Sequence, residues 1–248
     1  MKISIVTAAY NSAATIKDTI DSVLSQDYPD IEYIVADGGS KDGTVEILKS
    51  YGDKIKWVSE KDSGIYEAMS KGVKMATGHA IGIMGSDDFY PDNQVISKVA
   101  KAFEESKADS VYGDLYYVEA EDTNKVVRNW KSGKYDRNRF LNGWMPPHTA
   151  FFLTKAAYDT YGLYDTSYRS AGDYELMLRM LYRHKLSSYY IPAVLMKMRV
   201  GGNSNASIKN RIKANKEDRR AWTDNGIEPR WYTLYAKPLS KIFQWILK

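Results

Sequence analysis

A short β-branched, apolar run over residues 2–8 is followed, after Asn11 and Ser12, by Ile16, Ile20, Val23 and Leu24 at helical spacing. The first pattern predicts a strand and the second a helix, with Asn11 and Ser12 supplying its cap. The alternation then repeats. Residues 31–36 read as a strand ending at Asp37 and the turn DGGSKDGT, 45–50 as a helix and 55–59 as a strand. Residues 65–76 read as a helix, and 79–84 as a strand running into Gly85, Ser86, Asp87 and Asp88. Strands alternating with helices in this way predict a Rossmann-like α/β fold with a mostly parallel sheet. Ligands of such sheets sit beyond the carboxyl ends of the strands. The polar residues gather there: Thr7 to Asn11, Asp37 to Ser40, Asp62 and Gly64, Asp87 and Asp88.

After Pro91, the residues Val95, Ile96, Val99, Ala100 and Phe103 predict a helix to about 105, followed by strands at 110–118 and 125–130. Residues 131–147 are irregular. HTAFFL reads as a strand, 173–184 as a helix, 186–199 as extended and 207–225 as a helix. The organisation expected is a domain over 1–205, with the ligand-binding half at 1–105, and a C-terminal helical extension over 206–248.

The 248 residues are 44% hydrophobic, enough for a full core. With no cysteine, disulfides and thiolate metal sites are excluded, and any metal must use oxygen or imidazole ligands. The start shows no export signal and no apolar run suits a membrane span, so a cytoplasmic protein is expected. From Lys209 onward ten Lys and Arg stand against four Asp and Glu, a local +6 within a net charge of +4. The preceding residues are slightly acidic, which argues against nucleic acid as a partner and places any attraction to an anionic surface at the C-terminus.

Asp87 and Asp88 are adjacent acids at a strand end, a position that suits a divalent cation such as Mg²⁺ or Mn²⁺; either could instead cap the helix after Pro91. Asp37 opens a turn in which Gly38 and Gly39 let a ligand approach the backbone, although tight turns favour the same residues. The turn after the first strand lacks the GxGxxG of a dinucleotide site, and the chain has no P-loop. A nucleotidyltransferase using a metal-bound nucleotide and a non-catalytic nucleotide- or sugar-binding module are both compatible with these residues.

TAAYN, IVADGGSKDGT, EKDSGIYEAMSKGVKMATG and IGIMGSDD, in that order, resemble the family 2 inverting glycosyltransferases with the GT-A fold. The likeness runs from residue 1 to about 205. It implies metal-dependent transfer of a hexosyl group from a nucleotide sugar, usually a UDP-sugar, to a glycan or lipid-linked glycan acceptor in cell-surface polysaccharide or glycolipid synthesis. By that resemblance Thr7, Ala9, Tyr10, Asn11, Asp37, Gly38, Asp62, Gly64, Ser86 and Asp87 belong to the donor site, with Asp37 on the nucleobase. Asp88 falls on the metal ligand of the family's Asp-x-Asp motif, whose first acid is Ser86 here. The family's frequent second-motif Asp pair is Asp37 and Gly38, so one base or ribose contact is missing.

Farther on, SAGDYEL matches the position of the catalytic base and gives Asp173 that role; an acid at a helix start is also favoured by the helix dipole. His148 in PPHTAFF is expected to line the acceptor pocket or to serve as a structural residue. Arg199 in MRVGGNS resembles the closing loop that meets the diphosphate. At the tail, Pro238 as a helix start with Leu239, Ile242, Phe243 and Ile246 on one face predicts a basic amphipathic helix, either on the inner membrane surface or packed on the domain.

Overall fold

In the computed structural model, residues 1–201 and 208–240 are described. The first strands are β1 (Ile3–Ala9), β2 (Ile31–Asp37), β3 (Lys56–Ser59) and β4 (Ala80–Gly85). The helices between them are α1 (Ile16–Leu24), α2 (Thr44–Ser50) and α3 (Ile65–Met75). These strands pair in the order β3-β2-β1-β4, all parallel. All of β1 is buried, as a strand covered by helices on both faces must be. Helix α1 buries Ile16, Thr19, Ile20 and Val23, the stripe its spacing predicts, but Leu24 faces solvent. Helix α3 lies so close to β1 that a Cβ at Gly72 would come within 2.2 Å of Val6.

Helix α4 (Val95–Ser106) buries all five predicted residues and leads to β5 (Ser110–Val118), β6 (Val126–Trp130) and β7 (Phe151–Thr154). Strand β7 runs antiparallel between β4 and the start of β5, and β6 runs antiparallel beside the end of β5. The long β8 (Ser188–Arg199) is parallel to β5. The sheet is therefore mixed: its N-terminal half is parallel and its second half mostly antiparallel.

Helix α5 (Lys155–Tyr161) follows β7, α6 (Gly172–Met177) carries Asp173, and α7 (Ile208–Asp224) and α8 (Thr233–Ser240) close the described chain. Trp222 of α7 is fully buried and donates to the Tyr174 hydroxyl of α6 at 3.0 Å.

Several local expectations are corrected. Ser12 receives the Thr15 and Ile16 amides on its carbonyl, and α1 begins behind Thr15 rather than behind an Asn11 or Ser12 side-chain cap. HTAFFL opens with a 3-10 turn at His148–Ala150, and the predicted irregular stretch holds another at Arg137–Asn142. The helix from Asp173 widens into a π-helical turn at Leu178–Arg183. Helix α8 begins at Thr233, so Pro238 does not start it; the predicted stripe at Ile242, Phe243 and Ile246 lies outside the described residues.

Candidate active site

Register builds the site. Ala9 of β1 pairs with Asp37 of β2, Asp37 with Ser59 of β3, and Ala8 with Gly85 of β4, so all four strand ends open on one edge. The order reverses between β1 and β4, where a doubly wound sheet leaves its crevice. The Ser12 and Ser86 hydroxyls meet across that point at 2.6 Å. Asn11 adopts a left-handed φ of 49° and ties the β1 loop to the β2 turn. Its amide donates to Ser40 Oγ (2.7 Å) and its side-chain oxygen accepts the Lys41 amide (3.0 Å). Tyr10 beside it is 65% exposed, an aromatic face free to stack on a ligand. Thr7 is fully buried with its hydroxyl 3.0 Å from Tyr33 Oη, so its side chain belongs to the interior.

The buried Asp37 carboxylate accepts the Gly39 amide (3.1 Å), the Ser40 amide (2.9 Å) and the Ser59 hydroxyl (2.6 Å) on one oxygen, and the Ser40 hydroxyl on the other. It shapes its own turn. A Cβ at Gly38 would lie 2.9 Å from an Asp62 oxygen, so the Asp62 carboxylate fills the space a side chain at 38 would take. The other Asp62 oxygen accepts the Gly64 amide at 3.1 Å. Partial burial raises the Asp62 pKa above the ordinary carboxylate range against the pull of that amide.

Asp88 is 1% exposed. One oxygen accepts the Gly85 amide at 3.0 Å; the other is buried without a hydrogen-bond partner among the described residues. Burial, then the neighbouring Asp87, raises its pKa, and Arg199 opposes the shift. Gly85 is required here, because a Cβ would sit 2.9 Å from Asp87 Oδ1 and 3.1 Å from Asp88 Oδ2. Neither acid caps the following helix, which starts at Val95. The Arg199 guanidinium donates to the Asp87 carbonyl (2.7 Å) and Asp18 (2.6 Å) and lies over the Phe89 ring, bracing the turn. An orphaned carboxylate oxygen fits a hard divalent cation. Among the described residues no group of three or more His, Cys, Asp or Glu side chains gathers, so a ligand would have to complete such a cation's shell.

Asp173 stands at the second position of α6 and receives the Tyr66 hydroxyl at 3.4 Å, a long contact. Tyr66 stacks on Tyr164, whose hydroxyl lies 2.7 Å from His148 Nε2. Burial lowers the His148 pKa, and the charge of Asp173 partly restores it. Tyr66 and Tyr164 thus link Asp173 to His148 through a chain of contacts. Tyr117 of β5 lies under the Arg128 guanidinium; burial raises its pKa, Arg128 lowers it, and the charges of Asp88 and Asp173 raise it further. Tyr66 lay unremarked inside a quoted motif, and Tyr117 inside an ordinary strand pattern, so neither stood out in the sequence.

The profile of Glycosyl transferase family 2 matches residues 4–162. Over 215 residues, 83% of this chain and 80% of the other, the sequence is 30% identical to a PGL/p-HBAD biosynthesis glycosyltransferase of Mycobacterium tuberculosis. The fold superposes on Staphylococcus aureus TarS with a TM-score of 0.70 at 17% identity, covering 98% of this chain and 44% of TarS. A shorter TarS in complex with UDP-GlcNAc gives 0.68 at 18% identity, covering 99% and 79%. The mannosyltransferase PcManGT of Pyrobaculum calidifontis, in complex with GDP-Man and Mn²⁺, gives 0.69 at 17%, covering 99% and 72%. With its parallel N-terminal half, its acid-lined strand ends and this sequence match, the chain belongs to glycosyl transferase family 2 and has the GT-A type of fold.

Proposed function

We propose that the chain is an inverting glycosyltransferase that moves a hexosyl group from a UDP-sugar to a hydroxyl of a glycan or lipid-linked glycan. The observation that carries the reading is Asp88, buried at the crevice between β1 and β4 with one carboxylate oxygen that has no hydrogen-bond partner among the described residues. Support for a nucleotide-sugar donor comes from the ligands of the two structural neighbours.

Asp173 takes the proton of the acceptor hydroxyl as that oxygen attacks the anomeric carbon, and the bond to the diphosphate breaks on the opposite face. One displacement inverts the centre. Tyr66 holds one Asp173 oxygen and leaves the other for the proton. A divalent cation held by Asp88, with Asp87 beside it, would supply charge neutralisation to the leaving diphosphate. Asp37 keeps the base-side turn in shape, and Asp62, seated over Gly38, offers the acceptor oxygen toward base or ribose that residue 38 lacks. Gly64, Ala9 and Tyr10 complete the donor pocket, and His148 borders the acceptor.

No helix among the described residues is long and apolar enough to cross a membrane. We place the protein on the cytoplasmic face of a membrane, held by its basic C-terminal region, where Trp231 is 86% and Tyr235 64% exposed.

The deciding experiment incubates purified protein with a panel of nucleotide sugars, Mn²⁺ and glycan acceptors. Acceptor-dependent release of nucleoside diphosphate that stops in EDTA is expected; pyrophosphate release, or no product with any donor, overturns the proposal.

A further inference from the structure

We infer that Glu217 on α7 is a positioning residue for Asp173, acting through the loop that delivers it; the inference rests on the assignment of Asp173 as the base. Three consecutive backbone amides converge on this one carboxylate. Arg169 N lies 3.0 and 3.1 Å from its two oxygens, Ser170 N 2.7 Å and Ala171 N 2.9 Å from Oε2. Ala171 immediately precedes α6, and Asp173 is the second residue of that helix. Successive amides aimed at one anion form a nest, and here the anion is built into the protein.

The same loop reaches the donor side. The Arg169 guanidinium donates to the Ser63 carbonyl, between Asp62 and Gly64, and Gly172 lies against the Tyr66 ring that touches Asp173. Glu217 itself is held in register by the fastening of α7. Trp222 is bonded to Tyr174, Tyr168 donates to Asp224 at 2.8 Å, and Asn225 donates to Glu175 at 3.2 Å. The carboxylate thus holds residues 169–171, from which the Arg169 side chain reaches the Ser63 carbonyl and the chain passes through Gly172 into Asp173. Helix α7 lies beyond the stretch matched by the family profile, so this control is supplied by the C-terminal extension.

A displacement of about 1 Å at a reacting group costs on the order of 10²-fold in rate. A purely structural glutamate would instead lower stability and leave turnover per folded molecule intact. Glu217→Ala and Glu217→Gln are made in the full chain, alone and with Asp173→Asn, and assayed with the donor and acceptor that the parent turns over. Melting temperature, UDP affinity by calorimetry, kcat and KM are read together. Glu217→Ala should keep UDP affinity and lower kcat by roughly 10- to 100-fold. Glu217→Gln, with one acceptor oxygen left, should fall between it and the parent. In the Asp173→Asn background either change should cost less than about threefold, because its target is already gone. Should Glu217→Ala fail to fold, the same non-additivity is required of Glu217→Gln. A kcat within about threefold of the parent, or an equal loss in both backgrounds, overturns the clamp alone. A parent that releases no nucleoside diphosphate overturns the glycosyltransferase proposal and the clamp with it.

Discussion

A carboxylate oxygen buried without a partner is costly, and Asp88 keeps one at the mouth of the crevice. Its cost makes sense when a cation completes it, so Asp88→Asn should weaken Mn²⁺-dependent UDP binding and turnover together. Calorimetry with and without Mn²⁺ checks this, and unchanged metal dependence contradicts it. Asp173 is more open and, among the described residues, receives Tyr66 on one oxygen. Asp173→Asn should bind UDP and Mn²⁺ as the parent does, yet lose about 10²- to 10⁴-fold in turnover. Turnover within threefold would make Asp173 structural. Asp37 presents a third case. Because its carboxylate holds Gly39, Ser40 and Ser59, Asp37→Ala should lower UDP affinity by about 1.5–3 kcal/mol and also lower the melting temperature. Loss of affinity with no loss of stability would mean the turn does not depend on it. Asp37 and Asp88 were legible as candidates because they stand at strand ends, where position alone suggests chemistry, whereas Asp173, at a helix start, was singled out by the likeness of its motif. The burial of the Thr7 side chain was not legible, because the face it takes depends on the pleat and on Tyr33, 26 positions away.

At the scale of elements, strong periodicity was readable and weak periodicity was not. Helices α1, α3 and α4 repeat apolar residues on one stripe, whereas α5 is the short KAAYDTY, with two buried residues and no visible stripe. The mixed character of the sheet was hidden because nothing local in FFLT states that it will run antiparallel to β4. The opposite end of the sheet carries its own polar device. Glu32 of β2 accepts Ser4 Oγ (2.6 Å), Lys56 Nζ (2.7 Å), and the Thr77 amide (2.7 Å) and hydroxyl (2.9 Å), joining β1, β2, β3 and the approach to β4. Burial alone would raise its pKa, but the bonds from Lys56, Ser4 and Thr77 outweigh burial and hold it at about 2. A depressed carboxylate contributes stability that is complete above its ordinary value of 4.5 and is lost as pH falls toward 2. Glu32→Gln should therefore cost roughly 1–3 kcal/mol at neutral pH. Thermal melts across pH should show the gap between parent and variant closing below 4.5, and a constant gap would contradict the assignment.

For the whole molecule, the C-terminal extension combines two tasks: α7 is fastened to α6, while Trp231 and Tyr235 stand out in a stretch of net positive charge. If those aromatics meet a membrane interface, the Trp231→Ala, Tyr235→Ala double variant should lose sedimentation with anionic vesicles and keep its melting temperature and soluble-acceptor turnover. Equal sedimentation of parent and variant would remove the membrane role. The interleaving of strands also has a consequence in time. Strands β1 to β4 can pair once residue 85 has been made, but β7 must arrive before the far edge of β4 is covered, and β8 before β5 is flanked. At a ribosomal pace of about 5–20 residues per second, on the order of ten seconds separate Gly85 from Glu217. On the proposed reading, a nascent chain acquires a crevice for its donor well before it owns a secured base. If that reading holds, a chain released before Glu217 is made would bind its donor without turning it over.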